Sequence, residues 1–343
     1  MKIAVDAFGG DNAPLEIVRG AVLAISEMPE DDIVLVGNEQ KLQEILQAES
    51  AQTERISICH AEEVIGTGES PVEAIRAKKN SSLMVALSLV KNNEADAVVS
   101  AGNTGAYLAG AFRVLGRIKG IKRPALTTAM PTMVDRPSVI LDVGANADCR
   151  PEHLVQFAEM GSIYASHVLH IDNPRVGLLN IGAEEAKGNA LTKEVHGLLK
   201  ENEEINFVGN IEPRDVLCGD VDVIVCDGFT GNVVIKLIEG TASSLFSMLK
   251  KVFYKSLKTK LAAAVLKPGL KEIKGKMDYT EYGGVPLLGI DGVVFKAHGS
   301  SNAIAMKHAI LAARQYAAAG INEKIKDIVM AAKAEDEAAE QTE

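Results

Sequence analysis

Short apolar runs alternate along this chain with longer stretches in which apolar side chains recur every three or four positions. Recurrences of the longer kind, such as Leu15, Val18 and Val22, are typical of amphipathic helices. The brief runs are rich in β-branched residues and predict strands. The alternation predicts an α/β fold with a largely parallel sheet flanked by helices. The predicted strands are residues 3–5, 33–36, 56–59, 97–99, 139–141, 176–179 and 223–226.

Composition agrees with this fold class and narrows the range of functions. Of the 343 residues, 47% are hydrophobic and 24% are charged, as in an ordinary globular enzyme. Trp is absent and aromatic residues make up 4%, so the core must be built from small aliphatic side chains, which suits helix-covered parallel strands. The scarcity of aromatics and the net charge of −10 disfavour nucleic acid as a partner.

The chain carries no Pro/Ser-rich linker and no internal repeat, so residues 1–330 are predicted to form one α/β catalytic unit. A division into two lobes without a linker would leave the same pattern. Residues 331–343 hold one lysine against five acids and predict a disordered acidic tail. No apolar leader opens the chain and no run of about 18 apolar residues occurs, so we expect a cytoplasmic protein. Its four cysteines fit no zinc spacing and are expected to stay reduced.

Five of the predicted strands run into loops made of Gly, Asn, Asp, Ser and Thr. In open α/β sheets, ligands bind beyond the carboxyl ends of the strands. Glycine lets backbone N–H groups approach an anion closely, and a following helix adds its positive dipole end. Placed together at one edge of the sheet, such loops predict a polar cleft for an anion. The loops are residues 6–11, 100–105, 142–146, 180–189 and 227–232.

These loops lack the common nucleotide and hydrolase fingerprints. No G-x-G-x-x-G, G-K-[ST] or G-x-S-x-G motif occurs, which disfavours dinucleotide, ATP and acyl-serine chemistry. Lys187 lies between Gly182 and Gly188 at a predicted strand end, where it is either a phosphate ligand or an ordinary surface lysine. His298 precedes the last predicted helix and is a candidate acid or hydrogen-bond donor. The other six histidines show no metal-ligand spacing, and no metal is expected.

A lysine-rich element, predicted to be helical, occupies residues 245–276. From residue 250 onward it holds nine lysines against Glu272 alone, a charge of +8, while the rest of the chain carries −18. An apolar island at 261–266 is closed by Pro268 and Gly269. The element is either a surface helix pair or dimer contact, or an amphipathic surface for anionic lipid or an acidic protein. The residues expected to contact membrane or carrier protein are Lys255, Lys258, Lys260, Leu261, Val265, Leu266 and Lys267.

Taken in order, the motifs of this chain resemble the acyl-carrier-protein-dependent phosphate acyltransferases of bacterial phospholipid synthesis, the PlsX family. Any one motif is unspecific, but the ordered set is highly specific and spans nearly the whole chain. The matching stretches are residues 3–11, 100–106, 141–146, 151–156, 177–182, 187–189, 227–232 and 297–301.

The resemblance implies a homodimer with a fold similar to phosphotransacetylases and isocitrate dehydrogenases, and it implies no cofactor. It further implies transfer of a fatty acyl group from acyl-carrier protein to inorganic phosphate. The acyl phosphate would then pass to a membrane glycerol-3-phosphate acyltransferase, so peripheral membrane association is expected. The family motifs point to Lys187 and Asn232 as the catalytic pair, with His298 as a further candidate. Expected phosphate or substrate contacts are Asp6, Gly9, Gly10, Asn103, Thr104, Gly105, Asn146, Gly188, Asn189, Gly228, Thr230, Gly231 and Ser300.

The chemistry of the residues also suits this reaction when the resemblance is set aside. Inorganic phosphate is already an anion at neutral pH, so the enzyme must gather two anions and stabilise an oxyanion rather than supply a strong base. Lys187 and backbone N–H groups suit the phosphate, and the neutral amide of Asn232 suits the oxyanion. No cysteine has a basic loop setting, which favours direct transfer over an acyl-enzyme.

Three alternatives remain open from the sequence. A phosphotransacetylase acting on a coenzyme A thioester would use the same chemistry. A metal-dependent decarboxylating dehydrogenase would need clustered arginines and paired aspartates, which the sequence does not display. A non-enzymatic scaffold at the membrane surface would use only the lysine-rich element.

Overall fold

The computed structural model of this chain describes residues 1–49, 53–134, 136–276 and 284–340. Within these residues the strands, in chain order, are β1 Lys2–Asp6, β2 Asp32–Gly37, β3 Ile56–His60, β4 Ala97–Ser100, β5 Ala125–Met130, β6 Ser138–Leu141, β7 Arg175–Leu179, β8 Asn206–Ile211, β9 Val223–Val225, β10 Val285–Leu288 and β11 Val293–Lys296.

Helices separate most of these strands. In chain order they are α1 Leu15–Glu27, α2 Glu39–Ala48, α3 Pro71–Ala77, α4 Ser82–Lys91, α5 Thr104–Val114, α6 Pro151–His167, α7 Ala190–Glu201, α8 Gly228–Phe253, α9 Leu257–Lys276, α10 Ala303–Ala318 and α11 Ile321–Glu340.

Polar caps set the starts of the helices that follow the glycine-rich loops. The side chains of Asn103, Asn189, Asp227 and Asn302 each accept a hydrogen bond from a backbone N–H in the first turn of α5, α7, α8 and α10. Such caps satisfy donors that have no partner inside the helix. α5 and α7 therefore begin directly after Asn103 and Asn189.

One sheet of eleven described strands runs through the molecule, in the order β3-β2-β1-β4-β11-β10-β5-β6-β9-β7-β8. Seven of its ten strand pairs are parallel, so the predicted largely parallel sheet is confirmed. The three antiparallel pairs, β11 with β10, β10 with β5 and β5 with β6, lie together in the middle. They divide the sheet into two parallel groups.

The two parallel groups point in opposite directions, because three consecutive reversals separate β11 from β6. The loops after β1 and β4 therefore lie at one edge of the sheet, and the loops after β6, β7 and β9 lie at the other. The expectation that all five polar loops share one edge is wrong. Local periodicity predicts strands but not the direction in which distant strands pair, which is the reason for the error.

Both faces of the sheet are covered, as parallel strands require. On β1, Ile3 and Val5 belong to one core with α1, α6 and α10, while the intervening Ala4 belongs to a second core with α4 and α5. This alternation follows from the two-residue period of a strand. The seven predicted strands are all present, and β5, β8, β10 and β11 are additional to them.

The lysine-rich element is helical, as predicted. It comprises the last nine residues of α8, the connection 254–256 and the whole of α9, and we call residues 245–276 the α8–α9 hairpin. Pro268, which follows the apolar island at 261–266, does not end the helix, because α9 continues through it to Lys276. For Glu272, Lys274 and Lys276 the structure describes the helical backbone but not the side chains.

At the carboxyl end, α11 continues to Glu340 and so includes the first ten residues of the predicted acidic tail. The division at residue 330 and the disorder of the tail stay predictions, and residues 341–343 lie outside the described residues. His298 precedes α10, which α11 follows, so it does not precede the last helix. In the part of the chain that the structure describes, no helix combines the length and apolarity needed to cross a bilayer.

Candidate functional site

The loops after β1, β4 and β11 converge at the first edge of the sheet. Asp6 Oδ2 accepts a hydrogen bond from Ser100 Oγ at 2.6 Å, which joins the ends of β1 and β4. The backbone N–H of Asp11 donates to the carbonyl of Gly299 at 2.8 Å, which joins the β1 loop to the β11 loop. Asp6 is buried, and burial raises the pKa of its carboxyl group against the lowering effect of the Ser100 hydrogen bond. We call this convergence the first loop group.

Two glycines allow the first loop group to pack so closely. A Cβ on Gly9 would lie 2.4 Å from Asp6 Oδ2 and 2.7 Å from the backbone nitrogen of Gly102. Gly10 has a φ of +106°, and a Cβ there would lie 3.0 Å from the carbonyl oxygen of Gly299. Both positions therefore require glycine for close approach of backbone to backbone, as a site for an anion also would.

The expected contacts at the start of α5 divide into two half-buried supports and one exposed residue. Asn103 Oδ1 caps the helix, while its Nδ2 donates to the carbonyls of Thr67 at 3.0 Å and Glu69 at 3.1 Å. A Cβ on Gly105 would lie 2.6 Å from Pro71, so this glycine permits helix packing. Asn103 and Gly105 thus hold the neighbouring loop, and Thr104 is exposed at the loop surface.

A lysine that the sequence analysis missed lies beneath the first loop group. Lys296 ends β11, has only 7% of its side chain exposed, and donates from Nζ to the carbonyl of Ala297. Burial lowers the pKa of this ammonium group to about 8, while Asp6 and Asp11 act to raise it. Its signal in the sequence is a single lysine after Val-Val-Phe, immediately before the His298 motif.

His298 and Lys296 line the same small pocket, together with Thr128 of β5 and Ser301. His298 Nδ1 lies 2.8 Å from Ser300 Oγ and also accepts from the Ser300 backbone N–H at 3.2 Å. The predicted residues His298 and Ser300 are therefore in contact, at the mouth of a pocket whose floor carries a buried cation.

The loop after β6 is organised around the buried carboxyl group of Asp142. Its two oxygens accept backbone N–H groups from Leu126 at 3.1 Å, Gly144 at 3.0 Å, Ala145 at 2.9 Å and Asn146 at 2.7 Å. The amide of Asn146 adds a bond to the same carboxyl group at 2.9 Å. Burial raises the pKa of Asp142, and these hydrogen bonds oppose the rise. Asn146 is thus a support of the loop.

The first turn of α8 packs directly on this loop. The backbone N–H of Gly228 donates to the carbonyl of Asn146 at 2.8 Å. A Cβ on Gly231 would lie 2.0 Å from the carbonyl oxygen of Asp142, so only glycine allows this approach. Thr230 donates from its backbone N–H and its hydroxyl group to Asp227, each at 2.8 Å.

Asn232 lies half-buried in the same turn, and a Cβ on Gly144 would be 3.8 Å from its Cγ. We call the β6 loop and this turn of α8 the second loop group.

Lys187 lies in a third loop, after β7. Its backbone carbonyl accepts from Asn180 Nδ2 at 3.1 Å, and its side-chain stem lies over Gly182, where a Cβ would be 2.9 Å from Lys187 Cγ. Gly188 follows with a φ of +99°, and Asn189 caps α7 through the backbone N–H of Thr192 at 2.9 Å. The Lys187 side chain is exposed, and its described contacts all lie within this loop.

The antiparallel middle of the sheet connects the first and second loop groups. Thr128 and Val285, on β5 and β10, line the pocket of Lys296 and also a neighbouring pocket that reaches Ile235 and Glu239 of α8. Asn232, Ile235 and Glu239 are spaced by three and four residues and share one face of α8. We call these two adjoining pockets the candidate cleft. It brings His298 and Lys296 toward the helix that carries Asn232.

The cysteines near the second loop group are poorly suited to nucleophilic attack. Burial beside Asp142 raises the pKa of the Cys149 thiol to about 12 and raises that of Cys226 well above its usual range. Since the thiolate is the nucleophile, both groups stay protonated at neutral pH. Among the described residues, no group of three or more His, Cys, Asp or Glu side chains is placed to hold a metal ion.

Solved structures of other proteins share this fold. A phosphotransacetylase from Streptococcus pyogenes superposes with a TM-score of 0.61 at 18% identity, covering 92% of this chain and 94% of its own. A branched-chain phosphotransacylase from Enterococcus faecalis gives a TM-score of 0.59 at 14% identity, covering 92% of this chain and 99% of its own. The chain therefore has an α/β fold of the phosphotransacetylase kind, which confirms the predicted fold class.

Sequence relatives define the family. The model of the family described as fatty acid synthesis protein matches residues 1–324. A phosphate acyltransferase from Clostridium novyi is 51% identical over 326 residues, covering 95% of this chain and 98% of that protein. One from Bacillus cereus is 52% identical over 329 residues, covering 96% and 98%. The chain belongs to this family of phosphate acyltransferases and is an acyltransferase, as the motifs predicted.

Proposed function

We propose that this protein transfers a fatty acyl group from the thioester of acyl-carrier protein to inorganic phosphate. The product is an acyl phosphate destined for phospholipid synthesis. The observation that carries the proposal is the placement of the Asn232 amide against Gly144, at the glycine-lined start of α8. An amide donor beside a helix N-terminus suits the negative charge that develops when a thioester carbonyl is attacked.

The reaction balances without a cofactor. An oxygen of hydrogen phosphate attacks the thioester carbonyl carbon, a C–O bond forms, and the carbonyl oxygen takes the negative charge. The C–S bond then breaks, and the proton of hydrogen phosphate passes to the departing carrier thiolate. The raised thiol pKa values of Cys149 and Cys226 support direct transfer over an acyl-enzyme.

The predicted residues take distinct roles in this reaction. Asn232 stabilises the oxyanion, and Lys187 neutralises the phosphate as it attacks. His298, held by Ser300, donates a hydrogen bond within the candidate cleft. Thr104 and Gly188 are the proposed contacts with substrate. The remaining predicted residues act by shaping the loops: Asp6, Gly9, Gly10, Asn103, Gly105, Asn146, Asn189, Gly228, Thr230 and Gly231.

The α8–α9 hairpin suits anionic partners. Leu257, Leu261 and Val265 form a stripe at helical spacing on α9, exposed by 80%, 71% and 80%. Lys255, Lys258 and Lys260 flank this stripe and are also exposed. An apolar stripe rimmed by lysines suits the surface of an anionic membrane. The same lysines suit the acidic surface of a carrier protein.

We therefore propose a cytoplasmic homodimer that associates peripherally with anionic membrane through this hairpin. A long-chain acyl phosphate is poorly soluble, so its release beside a membrane glycerol-3-phosphate acyltransferase makes physical sense. In this proposal the dimer presents two copies of the hairpin, which doubles a weak attraction.

A coenzyme A thioester is the alternative donor, and the likeness of the fold to phosphotransacetylases favours it. Turnover of the purified protein with matched acyl-carrier protein and acyl-coenzyme A, each with phosphate, separates the two. We expect acyl phosphate from the carrier-protein donor and a much lower kcat/KM with coenzyme A. Equal efficiency would favour the alternative, and no acyl phosphate from either donor would refute both.

A further inference from the structure

Lys296 is a buried cation for which the proposed roles above have no use. It ends β11 between Ser100 of β4 and Val285 of β10, both at the same level in the sheet. Its side chain is 7% exposed and contributes to the pocket that His298 and Thr128 also line. A lysine buried at the end of a strand, inside a pocket, differs in kind from the exposed Lys187.

The surroundings of Lys296 leave its charge incompletely balanced. Within the described part of the chain it forms no ion pair, and its hydrogen bond goes to the carbonyl of Ala297. Asp6 and Asp11 act on it through space, but the Asp6 carboxyl group is already held by Ser100 Oγ at 2.6 Å. An ammonium group has three donors, and burying it without an anion is costly. An anionic ligand would supply what the protein does not.

The other polar groups of the pocket suit an oxyanion. Thr128 and the buried Ser301 bring hydroxyl groups, and His298 brings a ring nitrogen. A tetrahedral oxyanion has acceptor oxygens in several directions, so it can take donors from the ammonium group and the hydroxyls together.

We propose that Lys296 is the buried anchor that binds the phosphate substrate, with Thr128, His298 and Ser301 around it. The proposal rests on the proposed function and deepens it. In this proposal Lys296 sets the affinity for phosphate before reaction, and Lys187, whose loop follows β7 at the opposite edge of the sheet, takes no part in that binding.

The pH dependence of phosphate binding follows from this assignment. The charged groups that face Lys296 are Asp6 and Asp11 from the first loop group, and the titratable side chain of His298 lines the same pocket. Because the pKa of Lys296 is lowered to about 8, its ammonium form declines above that pH. The KM for phosphate should therefore rise above about pH 8. Lys296→Arg, whose guanidinium stays charged, should remove that rise.

The test compares Lys296→Met, which preserves length without charge, with the wild type and with Lys307→Met. Lys307 lies on α10 and pairs with Glu27 at 2.9 Å, outside the candidate cleft. We expect the KM for phosphate to rise about tenfold to a hundredfold in Lys296→Met, since a hydrogen bond to a charged group is lost. The KM of Lys296→Met for acyl-carrier protein should stay at the wild-type value. Both KM values of Lys307→Met should also stay at wild-type values.

A second readout does not depend on turnover. Millimolar inorganic phosphate should raise the Tm of the wild type and of Lys307→Met, and this shift should vanish in Lys296→Met. If Lys296→Met fails to fold, Lys296→Arg provides the test through its pH profile. A wild-type KM and Tm shift in Lys296→Met, or an unchanged pH profile in Lys296→Arg, would overturn the proposal. Absence of acyl phosphate with the wild type would refute the proposed function, while the Tm shift would still report on the phosphate site.

Discussion

Asn232 lies directly over Gly144, with its Cγ 3.8 Å from the position that a Cβ on that glycine would take. Gly144 has a φ of +140° and donates its backbone N–H to Asp142 at 3.0 Å, so the loop beneath the amide is fixed. A donor held over a rigid glycine loop is preorganised for an oxyanion, because little reorganisation is needed as the charge develops.

The first prediction follows from this placement. Asn232→Ala should fold normally and lose acyl-phosphate synthesis by about 10²–10³ in kcat, as removal of an oxyanion donor typically does. Asn232→Asp should be worse, since a carboxylate repels both phosphate and oxyanion. Steady-state kinetics check this, with the exposed Lys236→Ala one turn later on α8 as the control. Near wild-type turnover in Asn232→Ala would remove the amide from the mechanism.

The second prediction concerns Lys187. Lys187→Ala should lower kcat by about 10²–10³ with a smaller effect on the KM for phosphate, because the contact strengthens in the transition state. The neighbouring exposed lysine on α7, Lys193, provides a matched control as Lys193→Ala. Equal turnover in the two variants would make Lys187 an ordinary surface residue.

The third prediction concerns the α8–α9 hairpin. Reversal of charge at Lys255, Lys258 and Lys260 to glutamate should abolish a weak, salt-sensitive binding to anionic vesicles. Each lysine near such a surface contributes about 1 kcal/mol to binding, so three charge reversals should remove most of a weak binding free energy. Vesicle flotation at increasing salt measures the effect.

The control for this prediction reverses three exposed lysines elsewhere, Lys41, Lys91 and Lys119, which should leave vesicle binding intact. A parallel turnover assay with acyl-carrier protein separates the partners. Lost turnover with intact vesicle binding would assign the lysines to the carrier protein. If the hairpin variant keeps both activities, these lysines only keep the helices hydrated.

The fourth prediction is a dependence of stability on pH. Burial lowers the pKa of Lys296 to about 8, so between about pH 8 and 10 the unfolded chain binds a proton that the folded chain does not. The contribution of Lys296 to stability therefore rises with pH across this window, by about 3 kcal/mol in all. Urea unfolding at several pH values should show a rise in the wild type that is missing in Lys296→Met. Identical pH profiles would contradict the burial of a charged lysine.

The sequence predicted the elements of the fold better than their arrangement. Seven strands were visible as β-rich runs, but β5 and β8 mix apolar with polar residues, and β10 and β11 are only four residues long. The opposite directions of the two parallel groups depend on β10 and β5 pairing across more than 150 residues of chain. No local period reports such a pairing.

The residues of the candidate site also include some that the sequence predicted and one that it did not. Lys187 and His298 lie in polar loops and Asn232 lies in the first turn of α8. Glycine-rich motifs mark all three, and the sequence predicted them as a set. Lys296 was missed because a lysine after three apolar residues is usually the exposed end of a strand. Its burial is set by β4 and β10 on either side, which only the fold brings together.

The acyl acceptor can be identified most directly with phosphate in which all four oxygens are oxygen-18. The wild-type protein is incubated with palmitoyl-carrier protein and labelled phosphate, and the mass of the product is measured by mass spectrometry. The account predicts palmitoyl phosphate that keeps the whole label, at a rate equal to release of the carrier thiol, because a phosphate oxygen itself forms the new bond. Release of the thiol with free palmitate and no labelled acyl phosphate would show that water is the acceptor and would contradict the account.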